Sequence, residues 1–381
     1  MNIITLLQPA RIVFGDGCAT GCAAFLGAQG VRRVLLVTST QVLPVLGEVR
    51  AVLKQSRIEV ILAPPIDREP TCDLFESVLV QARAENVNGV LGIGGGSAID
   101  TAKLVAALVE GGQTVSEVFG IDRLHGRKLP LVCLPTTAGT GAEVSPNAIL
   151  LDESDALKKG VVSPYLVPDA AFIDPRLTWT VPPAVTAATG LDALTHCIEA
   201  YANKFAHPIV DAYALQGIRL ISANLARAVC DGSDAEARSA LALGSLYGGL
   251  CLGPVNTAAV HALAYPLGGR FQIAHGVSNA LLLPHVLRFN FSAAAERYAD
   301  IATALGVPRN GSPLTTAEHG VEFLTQLSQD CGVPQKLSEL NIPREAIPEM
   351  AAAAMQVGRL LKNNLRPLLE ADAARIYEAA Y

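Results

Sequence analysis

The chain has 381 residues, room for two or three domains with sizeable cores. Half of its residues are hydrophobic and 17% are charged, the balance of a packed globular protein and the reverse of a disordered one. Lys and Arg number 29 against 35 Asp and Glu, leaving −6 with no long basic run, which argues against nucleic acid and anionic membrane as partners.

From residue 11 to about 150, short β-branched runs at 11–14, 34–38, 59–63, 89–93 and 129–134 alternate with helical periods such as 42–56 and 72–85. Strands that are apolar throughout and separated by helices predict a parallel sheet covered on both faces. Beyond about residue 180 the β-like runs stop. Long Ala- and Leu-rich helical periods follow, at 209–229, 236–252, 293–305 and 349–361. Pro182 and Pro183 punctuate the start of the helical half, so the expected domains are 1–180, α/β, and 181–381, all-helical.

Every apolar stretch is broken before the roughly 18 residues of a membrane span. Residues 1–8 lack a basic segment and a small-residue cleavage site, so the expected location is the cytoplasm. The eight cysteines are scattered without CxxC spacing and read as free thiols in a reducing compartment.

Two glycine-bearing loops follow strand-like runs. The first, Gly92-Ile93-Gly94-Gly95-Gly96-Ser97, opens a helix, an arrangement that lets a pyrophosphate approach backbone N–H groups at the positive helix end. It matches neither GxGxxG nor GxxxxGK[ST]. The second, Pro135-Thr136-Thr137-Ala138-Gly139-Thr140-Gly141-Ala142-Glu143, brings three hydroxyls to a strand end. In the helical half, Asp192 and His196 are four apart and share one helix face. With His261 and His275, both in apolar surroundings, they form one carboxylate and three imidazoles, a set suited to Fe²⁺ or Zn²⁺.

The segment at 94–103, the segment at 135–143 and the Asp192/His196/His261/His275 set together resemble the iron-containing (group III) alcohol dehydrogenase family along the whole chain. The resemblance implies an α/β N-terminal dinucleotide-binding domain with a parallel sheet, an all-α C-terminal metal-binding domain, and an active site in the cleft between them. This architecture is shared with dehydroquinate synthase. It also implies that Gly95, Gly96 and Ser97 hold the pyrophosphate of NAD or NADP, with Asp100 in the same motif. Thr136, Thr137 and Thr140 then line the cofactor path, and Asn147 and Lys158 lie near ribose and nicotinamide. The four metal ligands carry over without substitution, and the resemblance implies a homodimer or larger assembly.

The chain departs from the family at two positions. Ser39 stands where many relatives carry an Asp for the adenosine ribose, which predicts that NADPH is accepted. Tyr265 stands where many carry a second His; with His275 it is the candidate catalytic residue, its ring expected beside the metal as wall or hydroxyl donor. The expected reaction is reversible hydride transfer between a nicotinamide and a small alcohol or its aldehyde or ketone. The alternatives are a lyase or cyclase of the dehydroquinate synthase type and a catalytically silent metal- and nucleotide-binding protein.

Overall fold

The computed structural model describes residues 3–154 and 157–381. They divide into two compact units, one of residues 6–137 and 141–180, the other of residues 3–5, 138–140 and 181–381.

The first unit is built on a parallel six-stranded sheet ordered β1-β9-β6-β4-β2-β3. Its strands are β1 (Arg11–Phe14), β2 (Arg33–Val37), β3 (Glu59–Leu62), β4 (Gly89–Gly94), β6 (Leu131–Pro135) and β9 (Ala170–Ile173). Successive side chains of a strand face opposite ways. Leu35, Val37, Val90, Leu131 and Cys133 therefore join one buried core with helices α3 (Cys72–Ala84) and α4 (Gly96–Leu108). Val34, Leu36, Leu91, Ile93, Val132 and Leu134 join the other, with α1 (Gly21–Ala28) and α2 (Gly47–Gln55). This double burial is why β4, β6 and β9 are apolar throughout, while β1, β2 and β3 each begin with a charged residue.

A smaller sheet, ordered β5-β8-β7, lies in the same unit: β5 (Gly120–Ile121), beside the single-turn helix α5 (Val115–Val118), β7 (Asn147–Asp152) and β8 (Leu157–Val162). The sequence reading found five of the six main strands and missed β9 and the small sheet. Strand β5 has two residues, β9 is half alanine, and β7 is buried at only two positions. The predicted helix at 42–56 opens as a 3₁₀ turn over Leu43–Leu46, and only Gly47–Gln55 is α-helical.

The second unit is helical: α6 (Pro183–Tyr201), α7 (Pro208–Cys230), α8 (Ala235–Leu252), α9 (Ala259–Phe271), α10 (His275–Asn290), α11 (Ala295–Ala304), α12 (Pro313–Asp330), α13 (Ile347–Met355), α14 (Gly358–Leu361) and α15 (Glu370–Ala379). The helix predicted at 349–361 is interrupted between α13 and α14, where Val357 leaves helical geometry. Helix α6 is its axis, buried at every residue from Gly190 to Tyr201. Helix α10 crosses α6 so closely that a Cβ placed on Gly276 would lie 2.0 Å from the Ala188 carbonyl oxygen. No helix among the described residues is long and apolar enough to cross a membrane.

The Gly276 contact is with backbone, which cannot swing aside, so Gly276→Ala must push α10 away from α6. We expect a loss of about 1–3 kcal/mol, the cost of overpacking a close helix contact. It is measured as a fall in chemical-denaturation stability, while Gly27→Ala, at a position with nothing within 4 Å of its Cβ, serves as the unperturbed control.

Candidate metal centre and nucleotide loops

Three helices of the second unit each bring a residue pair one turn apart to the same point. Helix α6 supplies Asp192 and His196, α9 supplies His261 with Tyr265, and α10 begins with His275 and carries Asn279. The Nε2 atoms of His261, His275 and His196 lie 3.5, 3.7 and 3.9 Å from Asp192 Oδ1. Donor atoms of Asp192, His261 and His275 all fall within 4.8 Å of one another. His196 stands at the edge of this group and stacks on His261 at 4.8 Å between ring centres. Asp192, His196 and His261 are buried, whereas the His275 side chain is 32% exposed and faces solvent.

The electrostatics follow from placing a carboxylate out of water. Burial pushes the Asp192 carboxyl up, but His196, His275 and His261 outweigh it and hold it well below the usual carboxylate range. Burial pulls the His196 imidazole down. For His261 burial acts the same way, yet hydrogen bonds with Asp192 and Glu199 prevail and lift it to about 9.

Asn279 marks the centre of the set. Its Nδ2 donates to Asp192 Oδ1 at 2.7 Å and sits 3.1 and 3.2 Å from Nε2 of His261 and His275. One amide nitrogen therefore touches all three of these side chains. The Asn279 Oδ1 and the His196 Nδ1 are buried without hydrogen-bond partners. A carboxylate with three imidazoles, packed beside buried polar atoms that lack partners, is a donor set that fits Fe²⁺ or Zn²⁺.

Glu199 was not singled out from the sequence. It lies on the same face of α6 as Asp192 and His196, seven and three residues further on, and that spacing was the available signal. Its Oε2 is 2.6 Å from His261 Nδ1 and its Oε1 accepts the Val260 N–H. A carboxylate on Nδ1 keeps a proton there, so that the proton His261 gives up to a cation is the one on Nε2. Tyr265 has its ring 6.2 Å from that of His275, and its hydroxyl accepts a 2.8 Å hydrogen bond from Arg359, a second group the sequence did not reveal.

In the first unit the two glycine-bearing loops leave the carboxyl ends of neighbouring strands, Gly94 on β4 being paired with Pro135 on β6. Gly95 is the N-cap of α4 and makes no side-chain cap, leaving the N–H groups of Gly96 and Ser97 at a bare helix start. Thr137 lies beside Gly95, and Thr136 is buried with its N–H on the Gly94 carbonyl. Thr140 groups with the helical unit.

Asp100 turns away from the loop: its carboxylate accepts the Ile149 N–H and stands 4.0 Å from the buried Lys103, whose ammonium donates to the Asn147 carbonyl. Burial pushes the Asp100 carboxyl up to about 6. The Asn147 side-chain oxygen is buried without a partner. Lys158 is paired with Glu69 at 2.7 Å and Lys159 with Asp152 at 2.7 Å, on opposite faces of β8. After β2, Ser39 is half-buried, and the next residue, Thr40, gives both its N–H and its hydroxyl to Asp67 at 2.7 Å. The sequence reading saw no carboxylate at this strand end; Asp67 brings one from 27 residues away.

Two family models match the chain. The model for iron-containing alcohol dehydrogenase covers residues 9–175, and that for the C-terminal part of the Fe-containing alcohol dehydrogenase family covers 186–381. Long-chain-alcohol dehydrogenase 1 of Geobacillus thermodenitrificans is 40% identical over 389 aligned positions, covering 98% of each chain. The 1,3-propanediol dehydrogenase of Klebsiella pneumoniae is 38% identical over 330, covering 86% of this chain and 85% of its own. Among solved structures, the alcohol dehydrogenase from Oenococcus oeni superposes with a TM-score of 0.96 at 30% identity over all of both chains. The chain belongs to the iron-containing alcohol dehydrogenase family, an oxidoreductase that interconverts alcohols and aldehydes.

Proposed function

We propose that Asp192, His196, His261 and His275 hold one Fe²⁺ per chain, with Zn²⁺ as a functional substitute. The reading rests on one observation: the convergence of Asp192, His261 and His275 on the Asn279 amide inside a buried helical core. When bound, the cation polarises the substrate oxygen while NAD(P) accepts or supplies the hydride.

The chain's own residues bind and orient. Asp192 supplies the charge, Glu199 holds His261 in the tautomer that leaves Nε2 free, and His275 is the ligand on the solvent side. Gly95, Gly96 and Ser97 receive the pyrophosphate on the helix start, flanked by Thr136 and Thr137, and Asn147 offers its unpartnered oxygen to the cofactor. Asp100 and Lys103 act as anchors that fix β7 against α4. Lys158 reaches the cofactor only by leaving Glu69.

All eight cysteines are unpaired, which supports a reducing compartment such as the cytoplasm. The assembly proposed is a homodimer or larger, read by sedimentation. A turnover assay of small aldehydes with NADH and NADPH, in the presence of Fe²⁺ or Zn²⁺, tests the reading. Stoichiometric cofactor oxidation supports it, and binding without turnover would favour the silent alternative.

The metal assignment is tested by metal analysis. His261→Ala is expected to lose bound metal and activity with cofactor affinity retained, and Glu199→Gln to weaken metal affinity about 10–100-fold, the usual cost of removing the partner of a ligating His. Full metal occupancy in both variants would contradict the assignment.

Cofactor choice depends on the loop after β2. Ser39 sets no charge against a 2′-phosphate and the Asp67 carboxylate is engaged by the Thr40 N–H and hydroxyl, so we expect NADPH to be accepted and Ser39→Asp to shift preference toward NADH by about 1–3 kcal/mol. The ratio of kcat/KM for the two cofactors measures it, and a wild type strictly dependent on NADH would remove the argument.

A further inference from the structure

We infer that Arg359 is a specificity residue for the tail of the substrate, and that the preferred substrates are short-chain aldehydes or alcohols carrying an anionic group such as a carboxylate or phosphonate. The inference rests on the alcohol dehydrogenase reading of the same site and names its substrate class.

Access to the metal set decides where a substrate stands. Asp192, His196 and His261 are enclosed, and His275 is the exposed member, so a small molecule comes to the cation along the His275 side. Tyr265 stands on that side, 6.2 Å from the His275 ring, and Arg359 is next in line, its guanidinium carbon 5.8 Å from the centre of the Tyr265 ring. The His275 ring and the Arg359 guanidinium thus flank one aromatic ring, so a substrate whose carbonyl end lies at the cation set is offered a guanidinium for its tail.

The chemistry at Arg359 is that of a site with capacity left over. Arginine has five N–H donors in a planar fork matched to carboxylate and phosphonate oxygens. Arg359 spends one contact on a neutral phenol and, among the described residues, pairs with no carboxylate. Arg270, on the helix of Tyr265, pairs with Glu349, whereas Arg238 and Arg366, arginines of the unit that lack a carboxylate, spend donors on backbone carbonyls. Arg359 is half-buried rather than splayed into solvent, and its hydrogen bond to Tyr265 fixes its direction. A half-buried, oriented guanidinium without a counter-ion, beside the solvent-facing ligand of a cation set, favours an anion and disfavours a cationic tail. Tyr265 thereby acts as a positioning residue for Arg359, and the histidine that many relatives carry at its place would offer no phenol to hold it.

The test compares four-carbon succinic semialdehyde with butanal, and phosphonoacetaldehyde as a second anionic arm, in wild type, Arg359→Gln and Arg359→Lys. The wild type is expected to favour the anionic aldehydes over butanal in kcat/KM by about tenfold or more, carried by KM, the size of a charge-assisted hydrogen bond. Arg359→Gln should collapse that ratio and Arg359→Lys recover part of it. The carboxylate and phosphonate arms show which anion fits better. Calorimetric binding of succinate to the metal-loaded protein gives a readout without turnover, and it should weaken in Arg359→Gln. A wild type that prefers butanal, or a ratio unchanged in Arg359→Gln, would overturn the inference. Failure of every aldehyde to turn over, with succinate binding still dependent on Arg359, would instead count against the dehydrogenase reading and leave the anion site standing.

Discussion

The buried carboxylate of Asp192 is the constraint around which the helical unit is organised. A carboxylate removed from water is costly unless positive charge or hydrogen-bond donors surround it. Here three imidazoles and the Asn279 amide converge on it, and burial loses to them in setting its ionisation. Once the imidazoles give up the protons that face Asp192, the same four side chains present a carboxylate and three nitrogen lone pairs, so the arrangement that keeps Asp192 ionised also shapes a cation site. Glu199 extends the order outward by fixing one imidazole through its far nitrogen while tying down the start of α9 through the Val260 N–H.

Helical spacing accounts for how few elements are required. Asp192 and His196, His261 and Tyr265, and His275 and Asn279 are each one turn apart, so three helices carry the centre and its lining. The helices must approach closely for these faces to meet, and at Gly276 the absence of a side chain is what allows α10 to lie against the α6 backbone. The α/β unit uses its sheet in a comparable way. Neighbouring parallel strands β4 and β6 end side by side, delivering a bare helix start and a hydroxyl-rich loop to adjacent positions.

Much of this was legible in the sequence because it is written in local periodicity. Apolar runs of strand length marked five of the main strands, the two glycine-bearing loops announced themselves by composition, and the four histidine and aspartate positions stood out by burial cost and spacing. What escaped depends on contacts between distant residues. Glu199 reads as an ordinary helical acid until His261, 62 residues away, is seen against it. Arg359 is 94 residues from the phenol it holds, and Asp67 supplies a carboxylate to a strand end whose own sequence lacks one. Strand β9 is half alanine and β7 is buried at only two positions, so neither reads as a buried β-branched run, and the break after Met355 is a backbone departure inside an otherwise helical pattern.

The most direct measurement is an anomalous difference map, collected at the iron edge, from crystals of the protein loaded with Fe²⁺. A single peak per chain is expected among these side chains, within about 2.0–2.3 Å of an Asp192 oxygen and of the imidazole nitrogens of His196, His261 and His275, the range of such metal–ligand bonds. A peak elsewhere on the chain, or a metal at this point that leaves Asp192 or His261 uncoordinated, would contradict it.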